Sequence, residues 1–226
     1  MRFVHLVAAL VVALPLATLP ATATAAVAGK DYTVLANVQP TDDRSKVEVI
    51  EFFAYTCPHC FHLEPMLNAW AKKLPKNVVL KREPVVFSDS WEPMARAYFA
   101  LQALGVVDKL HDDVFNAIHV QNINLMNPDT FFTWGAQHGL DRAKLKATYE
   151  SFTVSAKINE AKQMARAYGI TGVPTLAVNG KYVTSASIIS QSRGGLPEEE
   201  ASKAMLSVVD DLIRMESKAP AAKKRK

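Results

Sequence analysis

The segment that most restricts the fold is KVEVIEFFAY, which runs from Lys46 to Tyr55. Apolar, β-branched and aromatic side chains fill it almost without interruption. This pattern is typical of a strand that is buried on both faces, since such a strand has no side that meets water. The sequence therefore predicts a central strand covered on both sides, as in α/β folds.

The chain's only two cysteines, Cys57 and Cys60, follow this strand directly and enclose Pro58 and His59. Apolar residues then recur at helical spacing, which predicts a helix that begins at the motif. Cys57 would lie at the helix N-terminus, where unpaired N–H groups and the helix dipole favour a thiolate. Pro58 suits the first turn, where a missing N–H costs nothing.

Apart from a reactive thiolate, Cys57 and Cys60 could form a structural disulfide or bind a metal. A disulfide closing so short a loop contributes only about 2 kcal/mol, against about 4.7 kcal/mol for a hundred-residue loop. A metal could bind Cys57, His59, Cys60 and His62, but zinc usually takes a second ligand pair from a distant segment. The remaining histidines of the body form no such pair: His111, His119 and His138. We therefore expect redox chemistry and no metal.

His59 and Glu51 are the candidate tuning residues. His59 can stabilise a Cys57 thiolate by a hydrogen bond or by its charge, which would make the disulfide a stronger oxidant; the alternative is an exposed ring. Glu51 is an acid inside the buried run VIEFF, and burial raises the pKa of a carboxyl. We hypothesise that it moves protons to or from Cys60; the alternative is a strand-end acid that reaches water.

Beyond the motif, the pattern changes twice. NVVLKREPVVF predicts another strand, and roughly 75 residues of helical periodicity follow, with Asn127 and Asp141 as N-caps. Two short apolar runs joined by Asn179-Gly180 then predict a hairpin, and a last helix follows Pro197.

Both ends of the chain differ from its body. An arginine, an apolar run and small residues at the N-terminus predict a signal peptide over residues 1–28, cleaved after Ala25 or Ala28. The last residues, 219–226, end in KKRK and predict a basic, disordered tail. Without these ends the acids and bases nearly balance, so we expect no nucleic-acid binding.

The stretches EFFAYTCPHCFHLEP and GVPTLAVNGKY together resemble the DsbA family of periplasmic thiol:disulfide oxidoreductases, over about Lys30 to Met215. The resemblance implies a thioredoxin fold (29–87 and 170–218) with an inserted all-helical domain (88–169).

The family also implies roles for single residues. Cys57 would be the attacked and attacking residue, and Cys60 its partner. Val173-Pro174 would form a cis-proline loop that pairs with an extended substrate chain. The residues alone do not indicate a cis bond, and the alternative is that Pro174 is a proline at the start of a strand.

The activity implied is that of a periplasmic dithiol oxidase, which donates the Cys57–Cys60 disulfide to newly exported proteins. It would be a monomer that needs no organic or metal cofactor and is reoxidised by a quinone-linked inner-membrane partner of the DsbB type. The alternatives are a disulfide isomerase or reductase, and a non-enzymatic peptide-binding chaperone.

Overall fold

The structure, a computed structural model, describes residues 26–218 of the 226-residue chain. Nearly all of the predicted signal peptide, and the predicted tail 219–226, lie outside the described residues. Within residues 26–218 no helix is both long enough and apolar enough to cross a bilayer.

The sheet has five strands in the order β1-β5-β4-β2-β3. The strand predicted at the centre is β2: all seven of its residues are buried, and it pairs with β3 in parallel and with β4 antiparallel. This confirms the prediction of a strand covered on both faces. The strands are β1 (Thr33–Val34), β2 (Val47–Phe53), β3 (Val78–Pro84), β4 (Thr175–Val178) and β5 (Tyr182–Ser185).

The predicted hairpin joins β4 and β5. Asn179 and Gly180 both have positive φ angles, 52° and 67°, and the Lys181 N–H donates to the Val178 carbonyl to close the turn. Positive φ is the conformation that Asn-Gly adopts most readily, so this local prediction is confirmed.

Eight helices accompany the sheet within the described residues. Asn127 and Asp141 cap two of them as predicted, each accepting a backbone N–H three residues ahead. The helices are α1 (Pro58–Ala71), α2 (Glu92–Ala103), α3 (Val107–His119), α4 (Pro128–Gln137), α5 (Arg142–Tyr149), α6 (Phe152–Ala167), α7 (Ala186–Ser192) and α8 (Glu198–Lys218).

Helix α7 was not predicted from the sequence. Its seven residues, ASIISQS, are too few and too polar to show a helical period. Ser185 begins it by accepting the Ile188 N–H at 3.2 Å, a capping contact that a periodicity argument does not detect.

The two faces of the sheet have separate cores. Ile50 and Phe52 of β2 pack with α2–α6, while Val47 and Val49 pack with α1, α7 and α8. Side chains alternate across a strand, so β2 contributes to both cores. The helices α2–α6 lie inside the predicted insertion 88–169 and are held to the sheet by this shared core.

Both junctions of the helical insertion lie at one end of β2. The chain leaves the sheet after Pro84, which is paired with Phe53, and returns at Thr175, which is paired with Phe52. That end of β2 leads directly into the cysteine motif.

Candidate active site

Cys57 is the N-cap residue of α1. Its backbone is extended (φ −86°, ψ 117°), and its sulfur accepts the Cys60 N–H at 3.4 Å. Pro58 occupies the first helical position, as expected for a residue without an N–H. The strand–turn–helix order thus places the Cys57 sulfur against the free N–H groups of the helix.

The two sulfurs differ in accessibility. Both cysteines are free thiols in the structure, and Cys57 keeps 9% of its surface exposed whereas Cys60 keeps 0%. Of the two residues, only Cys57 therefore has surface in contact with solvent, and Cys60 has none.

The pKa values of the two thiols are shifted in opposite directions. The hydrogen bond with the Cys60 thiol lowers the pKa of Cys57 to about 6, helped by the N–H groups of Cys60 and His59 and by the His59 charge, against the effect of burial. Burial, followed by the hydrogen bond with Cys57, raises the pKa of Cys60 far above its usual range. One sulfur is stabilised as a thiolate and the other as a thiol.

The loop before β4 faces the cysteines. The Val173–Pro174 peptide bond is cis, as the family resemblance implied, and the Cys57 thiol donates to the Val173 carbonyl oxygen at 3.6 Å. Pro174 also directly precedes the first residue of β4, so both interpretations of this proline describe its position.

His59 is exposed and paired. Its ring Nδ1 lies 2.9 Å from the Glu198 Oε1, and 63% of the side chain is accessible. The hydrogen bond with Glu198 raises the pKa of His59. The ring therefore acts on Cys57 by charge, while the backbone hydrogen bond to the Cys57 sulfur comes from the Cys60 N–H at 3.4 Å.

Glu51 lies in β2 and is 0% exposed, so the interpretation as an acid reaching water is wrong. Burial, with the nearby Glu64 carboxylate, raises the pKa of Glu51 to about 8, although Arg82 opposes the shift. At neutral pH the carboxyl holds a proton, the state that the hypothesis of proton transfer to Cys60 requires.

Sequence reasoning missed the charged groups around Glu51. Arg82 in β3 donates to Glu64 and, at 2.7 Å, to Asn68. His111 in α3 lies 3.4 Å from Glu64 and 2.8 Å from the Tyr55 hydroxyl. Arg82 was the one detectable signal, since a cation in a strand next to a buried acid indicates a partner.

A cavity of about 710 Å³ opens beside the motif. Its wall includes His59, the Val173–Pro174 loop and apolar side chains from several elements, among them Leu35, Ile170, Val183 and Ile188. A concave, largely apolar surface next to an accessible sulfur suits an extended polypeptide with apolar side chains.

Comparison with known proteins agrees with this geometry. Residues 48–194 match the family described as a DSBA-like thioredoxin domain. The chain is 41% identical to the thiol:disulfide interchange protein DsbA of Bordetella parapertussis over 93% of this chain and 95% of that protein.

Two solved structures extend the likeness to three dimensions. The crystal structure of Pseudomonas aeruginosa DsbA matches with a TM-score of 0.77 at 36% identity, covering 86% of this chain and 96% of that one. The oxidoreductase DsbA from Xylella fastidiosa matches with a TM-score of 0.76 at 32% identity, covering 87% and 100%. The chain described here therefore belongs to the DsbA family of thioredoxin-fold proteins, with a helical domain inserted in the fold.

Proposed function

We propose that this chain is a dithiol oxidase that donates a Cys57–Cys60 disulfide to reduced proteins in the periplasm. Membership of the DsbA family makes it a thiol:disulfide oxidoreductase. The observation that supports the direction of transfer is the stabilised thiolate of Cys57, whose pKa is lowered to about 6, because a stabilised reduced form makes the disulfide a stronger oxidant. Cys57 keeps a small exposed surface and faces N–H donors, whereas Cys60 is fully buried.

The reaction begins when a substrate thiolate attacks the Cys57 sulfur of the disulfide. The Cys57–Cys60 bond breaks, Cys60 leaves and takes up a proton, and a mixed disulfide joins Cys57 to the substrate. A second substrate thiolate attacks the substrate sulfur of that bond, and Cys57 leaves as a thiolate. The substrate is oxidised by two electrons, and the enzyme becomes the dithiol.

Glu51 is the proposed proton source for Cys60. It is buried in the strand that leads into the motif, and a negative charge on it helps to raise the pKa of Cys60. A protonated carboxyl there can supply the proton that the departing Cys60 thiolate needs.

The Val173–Pro174 loop is the proposed binding site for the substrate backbone. Its Val173 carbonyl lies beside the Cys57 sulfur, where a chain held by backbone hydrogen bonds would present its cysteine. This form of recognition needs few side-chain contacts and suits a donor that acts on many sequences.

Turnover needs an oxidant that returns the dithiol to the disulfide. The family resemblance supports a quinone-linked inner-membrane partner of the DsbB type, an export route through the predicted signal peptide, and action as a monomer. The thiol chemistry balances without an organic or metal cofactor.

The redox equilibrium of Cys57–Cys60 with glutathione tests the direction of transfer. The disulfide of an oxidase has a reduction potential well above that of the thioredoxin disulfide, because the reduced form of the oxidase is stabilised. A potential near that of thioredoxin would instead place the chain with the reductases.

Oxidative refolding of a reduced protein tests the role of Cys57. The cavity beside the motif supports a second candidate function, a chaperone that binds unfolded chains without exchanging thiols. A Cys57→Ala variant abolishes refolding if the chain is an oxidase. Full activity of that variant would favour the chaperone.

A further inference from the structure

Three metal-binding side chains meet at the surface beside the motif. His59 and His62 project from the first turns of α1, and Glu198 is the first residue of α8. We propose that these three side chains form a binding site for a divalent d-block cation such as Zn²⁺. The proposal goes beyond thiol–disulfide exchange, which needs no metal.

The distances fit a single ion. The Glu198 Oε1 lies 2.9 Å from the His59 Nδ1 and 3.2 Å from the His62 Nδ1, and one ligand atom from each residue lies within 4.8 Å of the other two. Ligands bonded tetrahedrally to zinc at 2.0–2.2 Å stand roughly 3.4 Å apart. Small side-chain rotations therefore place all three atoms around one cation.

The helical backbone places both histidines where they can bind the same cation. His59 and His62 are three residues apart on α1, so their side chains lie on the same face of the helix. The third ligand comes from a segment 139 residues further along the chain. The prediction of no metal rested on the lack of such a distant ligand, because the spacing of histidines and cysteines gives no sign of Glu198.

The ligand types select the cation. Two imidazoles and one carboxylate suit Zn²⁺ and other d-block ions, and three protein ligands leave positions that water can fill. Mg²⁺ and Ca²⁺ prefer all-oxygen sites, so they should bind poorly. Among residues 26–218 this is the one group of three such side chains whose ligand atoms converge in this way.

The site is accessible to an ion from solvent. His59, His62 and Glu198 keep 63%, 57% and 43% of their side chains exposed. Exposed pairs of this kind contribute little to folding, so their convergence is poorly explained as a stabilising contact. A cation bound here would tie the start of α8 to α1, next to the cavity beside the motif.

Titration of the untagged, oxidised protein with Zn²⁺, in competition with a chromophoric chelator, tests the proposal. The Cys57–Cys60 disulfide removes both thiols as competing ligands. We expect one Zn²⁺ per chain, and an affinity at least about tenfold weaker in His62→Ala and in Glu198→Gln, since each loses a ligand. Excess Mg²⁺ or Ca²⁺ should leave the bound Zn²⁺ in place.

Matched controls separate the site from general surface charge. Glu199→Gln removes the neighbouring exposed carboxylate, and His138→Ala removes a histidine of the helical insertion; both should bind Zn²⁺ as the wild type does. The proposal is overturned if the oxidised wild type binds no stoichiometric Zn²⁺, if His62→Ala or Glu198→Gln keeps wild-type affinity, or if Mg²⁺ or Ca²⁺ displaces the ion. Circular dichroism of each variant verifies that it is folded.

Discussion

The Glu51 Oε2 lies 3.2 Å from the Arg82 Nε, and both atoms are buried without an aligned hydrogen bond. Arg82 directs its Nη2 to Glu64 and Asn68 instead. Glu51 is thus close to a cation that is already engaged elsewhere. Burial, together with the Glu64 carboxylate, outweighs the Arg82 charge and raises the pKa of Glu51, so the carboxyl still holds a proton.

Glu51→Gln should stabilise the protein at alkaline pH. The pKa of Glu51 is raised from 4.5 to about 8, so between these values the native state keeps a proton that the unfolded chain releases. The wild type should therefore lose more stability than the variant as pH rises through this window. Between the two ends of the window, urea unfolding of the reduced wild type should show a loss of stability, relative to Glu51→Gln, on the order of 4 kcal/mol.

An exposed carboxyl supplies the control for that experiment. Glu199→Gln should leave the pH dependence of unfolding close to that of the wild type. If the difference in the free energy of unfolding between the wild type and Glu51→Gln stays constant with pH, the raised pKa is contradicted.

The same substitution should change the kinetics of exchange. Without a carboxyl at position 51, the pH profile of disulfide exchange should lose the ionisation near 8 that we assign to Glu51. Stopped-flow measurement of the reaction with a reduced peptide provides this profile. Identical profiles for the two proteins would remove Glu51 from the proposed proton transfer.

Cys57 should titrate with a pKa of about 6. Thiolate absorbance in the ultraviolet should show this midpoint in the reduced wild type and lose it in Cys57→Ala. His59→Ala should move the midpoint upward, because it removes a positive charge near the sulfur, whereas His138→Ala should not. A midpoint near the usual value of 9.0 would contradict the assignment.

The lowered pKa of Cys57 also makes the stability of the reduced protein depend on pH. The native state releases a proton that the unfolded chain keeps, so the added stability is complete above about 9 and is lost as pH falls through about 6. Thermal unfolding of the reduced and oxidised proteins across this range should show the effect in the reduced form alone.

Gly180→Ala should destabilise the fold more than Gly139→Ala. Both glycines have positive φ, 67° and 84°, so both substitutions carry backbone strain of about 1–2 kcal/mol. A Cβ at position 180 would also stand 2.1 Å from the Gln39 carbonyl oxygen, while one at 139 meets nothing within 4 Å. Chemical denaturation of both variants tests this order, and equal losses would contradict it.

Cleavage of the predicted signal peptide should leave a chain that begins at Ala26. Its backbone N–H lies 3.0 Å from the Asp211 carboxylate, and the Val27 N–H donates to Asp31 at 2.9 Å. Cleavage after Ala25 would place the new α-ammonium group against Asp211, whereas cleavage after Ala28 would remove both contacts. The intact mass of the protein purified from the periplasmic fraction distinguishes the two cleavage sites, and a chain that begins at Gly29 would refute the expectation.

The predictable parts of this protein are those encoded by neighbouring residues. The buried strand, the helix start at Pro58 and the Asn179-Gly180 turn all follow from local patterns, and each was confirmed. The pairing of Arg82 with Glu64 and of His59 with Glu198 was not predicted. These contacts join segments that only the fold brings together, and no spacing rule relates them.

The placement of the insertion has a consequence for how the protein can vary. Both junctions lie on the two sides of β2, at the end that carries the motif, and β2 is itself held by β3 and β4 over most of its length. The outer loops between α2 and α6 can therefore lengthen, shorten or change their surface without moving the sulfurs. The fold thus separates a fixed reaction centre from an outer surface whose sequence can change. New partners can therefore be acquired while the thiol chemistry stays the same.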